Sequence, residues 1–346
     1  MSLSAEPQVL IVRLSAIGDC LLTLPLANAI KERYPRSRIT WVVEKAAAPL
    51  LQNHPAIDRL IELPRGWLRS PSEVWRLRRQ LQQESYEIAF DPQSLSKSAV
   101  VAWLAGAPRR VGFARPQGRE LAPLLNNVNV EPTSDHLVDR QLELLHAVSI
   151  RWPEVRFQIP NSVAARQWVS LWLDPLPLSQ GFVALNPGAT WESKRWPTER
   201  YGQLAHRLAE QTGLRSLVVW GGRREREWAE HVVAQSAGQA TLAPATSLPE
   251  LAAILRRARL FIGSDTGPLH LAAAVGTPCV GMYGTTRPEH CGPYGTQHRA
   301  LQVYYQAGTS RQRRQAPNTA MREITVEMVL DACQQLLPQD ALRRVA

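Results

Sequence analysis

Short apolar runs alternate with helix-length amphipathic stretches along most of the chain. The stretch QVLIVRLSAIGDCLLTLPLANAIKERYPRSRITWVVE, which begins at Gln8, predicts a strand, a turn with one glycine, a helix and a second strand. The helix should end at Lys31–Arg33, because basic residues are typical of a last turn and Pro35 follows. The second half starts alike, with the strand GFVALNPGAT, an amphipathic helix over Glu199–Gln211 and the strand RSLVVWGG. Further strands are predicted at YEIAFDPQ, RVGFA, LFIGS and PCVGMYG, and a last helix at Val326–Leu337.

This alternation predicts an α/β fold with two doubly wound, Rossmann-like domains that face a central cleft. Helices cover both faces of such parallel sheets, and 346 residues are too many for one typical core. Prolines and turn residues in WLDPLPLSQGF place the boundary between a domain at 1–172 and a domain at 180–324. A C-terminal helix in 325–346 follows, and whether it packs back on the N-terminal domain is left open. The basic stretch QAGTSRQRRQAPNTAMREI before it is expected to be an exposed loop.

The formal net charge of +10 and the pI of about 9.9 favour anionic partners, either nucleic acid, anionic lipid or a phosphorylated substrate. Most of the excess is arginine, which a GC-rich genome also produces, so the charge is only a supporting observation. The four cysteines contain no Cys-x-x-Cys pair and are expected to be reduced thiols. No apolar run approaches the roughly 18 residues that span a bilayer, and no secretory signal is visible, so a cytoplasmic protein is expected.

The turn in GSDTGPLHLAAAVGTP joins a predicted strand to a predicted helix. Asp265 or Thr266 can cap this helix, Pro268 is tolerated in its first turn, and Gly267 lets a ligand approach the backbone. The free N–H groups at the start of the helix suit a diphosphate, and His270 lies one turn further on. An ordinary capped helix has the same pattern and is the favoured interpretation of this segment taken alone.

The loop NPGATWESKRWP also follows a predicted strand. Thr190 offers a hydroxyl and Lys194 an ammonium, and both groups suit phosphate oxygens. It is not a Walker A loop, because no second glycine precedes Lys194. A solvated surface lysine is the alternative, but two turns that suit phosphate in one domain favour a nucleotide site.

The turn RLSAIGDCLLTLP lies at the end of the first predicted strand. It places one carboxylate, Asp19, at the start of a helix. A helix-capping aspartate explains this position, and so does a general base, which contributes about 10²–10⁴-fold in rate. From the local sequence alone, the helix-capping aspartate is the favoured interpretation.

Six segments occur in an order that resembles a known family: LSAIGDCLLTLP, DPQSLSKSA, RRVGFA, HLVDRQLELL, NPGATWESKRWP and GSDTGPLHLAAAVGTPCVGMYG. The resemblance is to the heptosyltransferases of lipopolysaccharide core synthesis, glycosyltransferase family 9, and it runs from about Val9 to Tyr294. It implies the GT-B architecture and transfer of a heptose from ADP-heptose, with inversion. The implied acceptor is a phosphorylated glycolipid, the Kdo-lipid A of the lipopolysaccharide inner core.

The resemblance also implies roles for individual residues. Asp19 is the expected general base. The expected donor-binding residues are Thr190, Lys194, Asp265, Thr266, Gly267 and His270. The best acceptor candidates are Arg65, Arg69 and Arg119, although PRGWLRSPSEVWRLRRQ fits a solvated helix face equally well. No cofactor or metal is expected, since the chain has no Asp-x-Asp pair and no zinc-ligand spacing. Relatives often carry cysteines where this chain has RQRRQAPNTAMREI, so that stretch is expected to be ordered differently.

Other functions stay open at this point. A relative that uses another nucleotide sugar or acceptor has the same motifs, and LAPATSLPELAAIL, expected to line the nucleotide pocket, does not identify the base. A basic nucleic-acid-binding protein fits the charge, but no basic run with interleaved aromatic residues is present, so no nucleic acid is expected as a partner. A nicotinamide oxidoreductase lacks its glycine fingerprint. Peripheral attachment to the inner membrane suits the charge and the implied acceptor, and the oligomeric state is unknown.

Overall fold

A computed structural model describes residues 3–178 and 181–337 of the chain. The chain forms two compact units, one ending at Pro160 and the other beginning at Asn161. Each unit contains one six-stranded parallel sheet with helices between successive strands. The predicted α/β class is therefore confirmed for both halves.

The first sheet has the strand order β3-β2-β1-β4-β5-β6. Its strands are β1 (Gln8–Val12), β2 (Arg38–Glu44), β3 (Arg59–Leu63), β4 (Ile88–Phe90), β5 (Arg109–Phe113) and β6 (Val128–Val130). The helices of this unit are α1 (Ile17–Arg33), α2 (Ala48–Leu51), α3 (Pro71–Leu81), α4 (Ser96–Leu104), α5 (Ala122–Leu125) and α6 (Leu137–Glu143). In the centre of the sheet Leu10 is opposite Thr40 on one side and Ala89 on the other. The strand β1 is fully buried from Val9 to Val12, as its apolar sequence predicts.

The second sheet has the order β12-β11-β10-β7-β8-β9. Its strands are β7 (Phe182–Asn186), β8 (Arg215–Val218), β9 (Ala240–Leu242), β10 (Leu260–Ser264), β11 (Cys279–Met282) and β12 (Arg299–Leu301). The helices are α7 (Val163–Leu173), α8 (Thr198–Thr212), α9 (Gly222–Ala234), α10 (Leu248–Arg257), α11 (Gly267–Ala274), α12 (Pro288–Cys291), α13 (Ser310–Gln315), α14 (Thr319–Glu323) and α15 (Val326–Leu336). Strand β7 therefore has the place in this sheet that β1 has in the first.

The division between the units differs from the boundary at 172/180. Helix α7 belongs to the second unit, because its apolar stripe of Ala165, Val169 and Leu173 is buried and the helix packs against α10. Asp174, just after the helix, also pairs with Arg257 at 2.6 Å. The proline-rich stretch thus lies inside the second unit rather than between domains.

The C-terminal helix α15 packs on the core of the second unit. Val326, Val329, Leu330 and Cys333 of α15 join the same apolar core as β7, β8 and α8. The remainder of the expected segment, 338–346, lies outside the described residues. The stretch 306–324, expected to be an exposed loop, forms the two short helices α13 and α14, and Ala320 and Met321 are fully buried.

The two strand orders determine where ligands can bind. In each sheet the first three strands are added outward on one side and the last three outward on the other side. The order reverses between β1 and β4 in the first sheet and between β7 and β10 in the second. The loops that leave the carboxyl ends of such strand pairs diverge, and doubly wound sheets bind ligands in the crevice between them. The candidate residues after β1, β7 and β10 therefore all lie at a switch point of their own sheet.

Candidate functional site

Asp19 lies in the first turn of α1, at the carboxyl end of β1. Its Oδ2 accepts hydrogen bonds from the Ala16 backbone N–H at 3.1 Å and from Arg13, whose Nη2 is 2.9 Å away. The other oxygen, Oδ1, has no hydrogen-bond partner among residues 3–178 and 181–337, and the side chain is 40% exposed. The capping and catalytic interpretations are therefore compatible, since one oxygen is fixed while the carboxylate stays accessible.

Arg13, which the sequence analysis did not single out, links Asp19 to the neighbouring strand. Its side chain is buried, and its Nη1 donates to the Pro92 carbonyl oxygen at 2.9 Å, just after β4. Beside it lies Asp91, which accepts from the Ser94 N–H and from Asn126 Nδ2 at 2.9 and 3.1 Å. Complete burial raises the pKa of Asp91 to about 6, although these hydrogen bonds and the nearby Arg13 act in the opposite direction. The buried Arg13, with Asp91 nearby, thus holds the Asp19 carboxylate in place.

Lys97 is a second residue that sequence reasoning missed. Its Nζ is 2.9 Å from both Ser15 Oγ and Glu44 Oε1, so it joins the loops that follow β1, β2 and β4. The side chain is about one-third exposed. Its segment, DPQSLSKSA, stood among the family-like motifs, but nothing local showed that this lysine faces the Asp19 turn.

The three predicted acceptor arginines lie in loops at the same edge of the first sheet. Arg65 and Arg69 follow β3, and Arg119 follows β5. All three side chains are exposed, and the Arg119 N–H donates to the Ser94 carbonyl oxygen at 3.0 Å, which fixes that loop beside the one after β4. The fold therefore brings them to one edge without pairing them to Asp19.

In the second unit, Lys194 and Asp265 form a buried ion pair across the switch point. Lys194 Nζ is 2.6 Å from Asp265 Oδ2 and 3.2 Å from the Asp265 carbonyl oxygen, and the two side chains are 12% and 7% exposed. These contacts use two of the three N–H donors of the ammonium, so one is left for a ligand. The Nζ also lies 4.7 Å from the centre of the Trp191 ring, a cation–π contact.

Both carboxylate oxygens of Asp265 are engaged. Oδ1 is 3.2 Å from Nε2 of the buried His270, and Oδ2 also lies 3.7 Å from Cys291 Sγ. Burial alone raises the pKa of Asp265, but the His270 hydrogen bond and the Lys194 charge outweigh it and hold the pKa well below its usual range. Asp265 is therefore an ionised anchor for Lys194, and the buried His270 holds its other oxygen.

The other predicted donor residues lie at the surface of the same edge. Thr190 is exposed in the loop after β7. Thr266 is the N-cap of α11, although its Oγ1 hydrogen-bonds to the Ser264 carbonyl oxygen at 3.2 Å instead of capping the helix. Gly267 is the first residue of α11, whose N-terminal N–H groups face this edge. The structure thus groups the six predicted donor residues around the carboxyl ends of β7 and β10.

Glu225 is a further acidic group at this edge that the sequence analysis did not identify. It lies in the first turn of α9, and its Oε2 accepts from the Gly221 N–H at 2.8 Å. Its carboxylate packs on Gly188, where an added Cβ would come within 2.4 Å of Oε2. Burial raises the pKa of Glu225, against the effect of the Gly221 hydrogen bond. The available signal was an acidic residue one turn after the glycine pair that ends VVWGG.

The basic segment 309–315 supports the Lys194 loop. Ser193 Oγ donates to the Arg313 carbonyl oxygen at 2.6 Å, and Arg313 Nη1 donates to the Thr285 carbonyl oxygen at 2.9 Å. The Arg314 guanidinium lies 5.1 Å from the Trp191 ring centre. The ring N–H of Trp220 donates to the Ala243 carbonyl oxygen at 2.8 Å, in the loop after β9.

Comparison with known proteins shows which family the chain belongs to. The family model described as glycosyltransferase family 9 (heptosyltransferase) matches residues 74–320. The chain is a member of glycosyltransferase family 9. Lipopolysaccharide heptosyltransferase 1 of Escherichia coli K12 is 32% identical to it over 298 residues, 83% of this chain and 91% of the relative.

Solved structures agree with this assignment. E. coli heptosyltransferase WaaC with ADP has a TM-score of 0.77 and 28% identity, and the match covers 95% of this chain and 99% of that one. The same enzyme with ADP-2-deoxy-2-fluoro heptose has a TM-score of 0.75 and 27% identity over the same shares of the two chains. This family 9 protein is a glycosyltransferase with the two-domain GT-B fold.

Proposed function

We propose that this glycosyltransferase moves a heptose from ADP-heptose to a phosphorylated Kdo-lipid A acceptor, with inversion at the anomeric carbon. The observation that carries the proposal is the chemistry at the two switch points. One has a carboxylate held by a single oxygen, Asp19, and the other has a buried, oriented ammonium, Lys194. WaaC, which has the same fold, has been solved with ADP and with an ADP-heptose analogue.

Asp19 is the proposed general base. Its Oδ1 takes the proton of an acceptor hydroxyl while that oxygen bonds to the anomeric carbon and the bond from that carbon to the diphosphate oxygen breaks. Arg13 and the Ala16 N–H hold Oδ2, so the carboxylate keeps its orientation and its charge until the proton is transferred. The products are the glycoside and ADP, and the proton on Asp19 passes to solvent.

The second edge stabilises the departing diphosphate. As the glycosidic bond breaks, negative charge grows on the β-phosphate, and preorganised donors lower the energy of that state. Lys194 contributes its third N–H, Thr190 its hydroxyl, and α11 the N–H groups and positive end of its dipole. Asp265 and His270 act through Lys194 as positioning residues, since both Asp265 oxygens are already bonded.

Glu225 is the proposed ribose contact of the donor. A carboxylate at the carboxyl edge of a doubly wound sheet is suited to accept hydrogen bonds from a ribose diol. Gly188 makes room for it, because any side chain there would press on the carboxylate. On the acceptor side, Lys97, Arg65, Arg69 and Arg119 supply positive charge for phosphates and carboxylates.

The protein is proposed to work at the inner membrane surface. No helix within 3–178 and 181–337 is long and apolar enough to cross a bilayer. A net charge of +10 favours contact with an anionic leaflet, where the lipid acceptor resides.

A nucleotide-sugar panel tests the proposal. ADP-heptose should stabilise the protein against heat, since a ligand at about 100 times its Kd adds about 2.7 kcal/mol, while UDP-sugars should not. With Kdo-lipid A added, ADP release and the anomeric configuration of the product are followed by chromatography and NMR, with and without a chelator. Equal stabilisation by UDP-sugars contradicts the assigned donor. A retained anomeric configuration, or activity lost to the chelator and restored by magnesium, contradicts the mechanism.

A further inference from the structure

One surface of the first unit exposes several large apolar side chains. They are Leu68, Trp75, Trp103, Leu121 and Leu124, with exposed fractions of 44%, 63%, 53%, 57% and 77%. We call this set the apolar face. Five of the ten large hydrophobic side chains exposed in 3–178 and 181–337 thus fall within 57 residues of sequence, which is unusual for a surface in contact only with water.

The topology brings these residues to one side of the first sheet. Helices α3 and α4 connect successive strands and bury their inner residues in one shared core with β1; those inner residues are Leu77, Leu81, Val101, Ala102 and Leu104. Helix α4 contacts both α3 and α5. The start of α5 is held to the start of α4, because the Leu121 N–H donates to Ser96 Oγ at 3.1 Å. The apolar face therefore lies on three neighbouring helices and on the turn before α3, which carries Leu68.

Positive charge surrounds this surface. Residues 65–79 contain five arginines against one glutamate, a net charge of +4, and Arg115 and Arg119 precede α5. Arg76, Arg78 and Arg79 are exposed on α3 itself, and the Arg79 guanidinium lies 5.5 Å from the centre of the Trp75 ring. Tryptophan beside arginine is the combination that suits the headgroup level of an anionic bilayer, where the ring is half-buried and the guanidinium meets phosphate.

We propose that the apolar face docks on an anionic phospholipid bilayer. Trp75, Trp103 and Leu124 enter the headgroup region, and Arg78 and Arg79 contact lipid phosphates. Docking rests on the proposed function in one respect, since it presents the loops of Arg65, Arg69 and Arg119 to an acceptor embedded in lipid. The apolar face and the arginines around it thus hold the enzyme at a membrane whose lipids carry negative charge.

Vesicle sedimentation of the full chain tests the docking. The wild-type protein should bind vesicles made of equal parts phosphatidylcholine and phosphatidylglycerol, and its binding to vesicles of phosphatidylcholine alone should be much weaker. Binding to the anionic vesicles should weaken as the salt concentration rises. The Trp75→Ser/Trp103→Ser variant should bind about tenfold more weakly, because two interfacial side chains are lost. The Arg78→Gln/Arg79→Gln variant should lose about fivefold for each charge removed.

Matched controls carry the same changes elsewhere. Trp152→Ser/Leu171→Ser alters two side chains that are 80% and 79% exposed outside the apolar face, and Arg33→Gln/Arg36→Gln removes two charges where α1 ends. Both controls should bind anionic vesicles as the wild type does. Wild-type protein that ignores anionic vesicles, face variants that bind normally, or controls that lose as much would each overturn the proposal. So would a face variant that converts a dimer to a monomer in sedimentation velocity and leaves vesicle binding unchanged.

A transfer assay separates this proposal from the proposed function. With a water-soluble acceptor sugar without acyl chains, the face variants should keep wild-type turnover, and with acceptor in anionic vesicles they should lose it in proportion to binding. If the wild-type protein transfers no heptose to either acceptor, the proposed function is wrong, but the docking proposal is not affected. Equal turnover of face variants and wild type on vesicle-bound acceptor would remove the docking but not the function.

Discussion

Lys194 Nζ lies 2.6 Å from Asp265 Oδ2, which joins two loops 71 residues apart in the chain. One loop follows β7 and the other follows β10, the pair of strands between which the second sheet changes direction. The pair is nearly dry, and His270 occupies the other carboxylate oxygen. This ion pair holds together the two loops at which the proposed donor binds. Its contribution to stability and the contribution of Lys194 to transfer can be measured with separate variants.

The Asp265→Asn substitution should destabilise the second unit by about 3 kcal/mol, because it leaves a buried ammonium without its counter-charge. Urea unfolding of the wild type and the variant measures this difference. Asp174→Asn is the matched control, since Asp174 and its partner Arg257 are 57% and 36% exposed, and removal of that pair should cost under about 1 kcal/mol. Equal losses in the two variants would show that burial of the Lys194 pair has no special weight.

Lys194→Met should lower kcat/KM for the donor by about 10²–10³-fold, the usual effect of removing one donor to a developing negative charge. Methionine has a similar length but lacks the ammonium that contacts Asp265 and Trp191, and with it the third N–H that the proposal assigns to phosphate. Steady-state kinetics at limiting donor measures the loss. Wild-type values in a folded Lys194→Met protein would take the ammonium out of the reaction.

Glu225→Gln should raise the Kd for ADP by about tenfold and leave the first unit unchanged, since one charged acceptor for hydroxyl groups is lost. Gly188→Ala should act in the same direction by pushing the Glu225 carboxylate aside, and because Gly188 has no left-handed backbone its fold should survive. Calorimetric titration with ADP reports both effects. Unaltered ADP affinity in both variants is the outcome that excludes Glu225 as a donor contact.

Asp91 should give the first unit a recognisable pH dependence. Burial raises the pKa of Asp91 to about 6 in the native state, above the value of about 3.9 for an unfolded aspartate. The native state therefore binds this proton more tightly, so the carboxyl favours folding at low pH and that contribution is lost as the pH rises from about 4 to about 6. The free energy of unfolding of wild type minus that of Asp91→Asn should fall by about 3 kcal/mol over this range. The lost Asn126 hydrogen bond adds only a constant offset, and a difference that does not change with pH contradicts the assignment.

The strands that the sequence predicts are the interior strands of both sheets. β1, β2, β4 and β5, and β7, β8, β10 and β11, are mostly buried on both faces and appear as apolar runs. The edge strands β3, β6, β9 and β12 were missed, because they are three to five residues long and most of their positions are only partly buried or exposed. The helix end predicted at Lys31–Arg33 agrees with α1, which ends at Arg33, and the helix predicted over Glu199–Gln211 lies within α8.

The positions of the candidate residues were predictable from the sequence only where the groups concerned lie within one loop. Asp19, Lys194 and the 265–270 turn follow predicted strands, so parallel topology places them at carboxyl ends. Three further residues were missed because their contacts are made with residues elsewhere in the chain. Arg13 pairs with Asp19, 6 residues away, Lys97 contacts Ser15, 82 residues away, and Glu225 packs on Gly188, 37 residues away. Hydrophobic periodicity and loop motifs do not show such contacts. The stretch 306–324 was predicted to be an exposed loop, because charge patterning does not show the contacts that hold it. They are made by the Arg313 backbone carbonyl, by the Arg313 guanidinium and by the cation–π contact of Arg314.

The central claim is that the Asp19 carboxylate removes the acceptor proton. Single-turnover transfer from ADP-heptose by Asp19→Asn, which keeps the size and the backbone contact of the side chain, tests it most directly. We predict a folded variant with unchanged ADP affinity and a transfer rate lower by about 10²–10⁴-fold. Transfer by Asp19→Asn at the wild-type rate would contradict it.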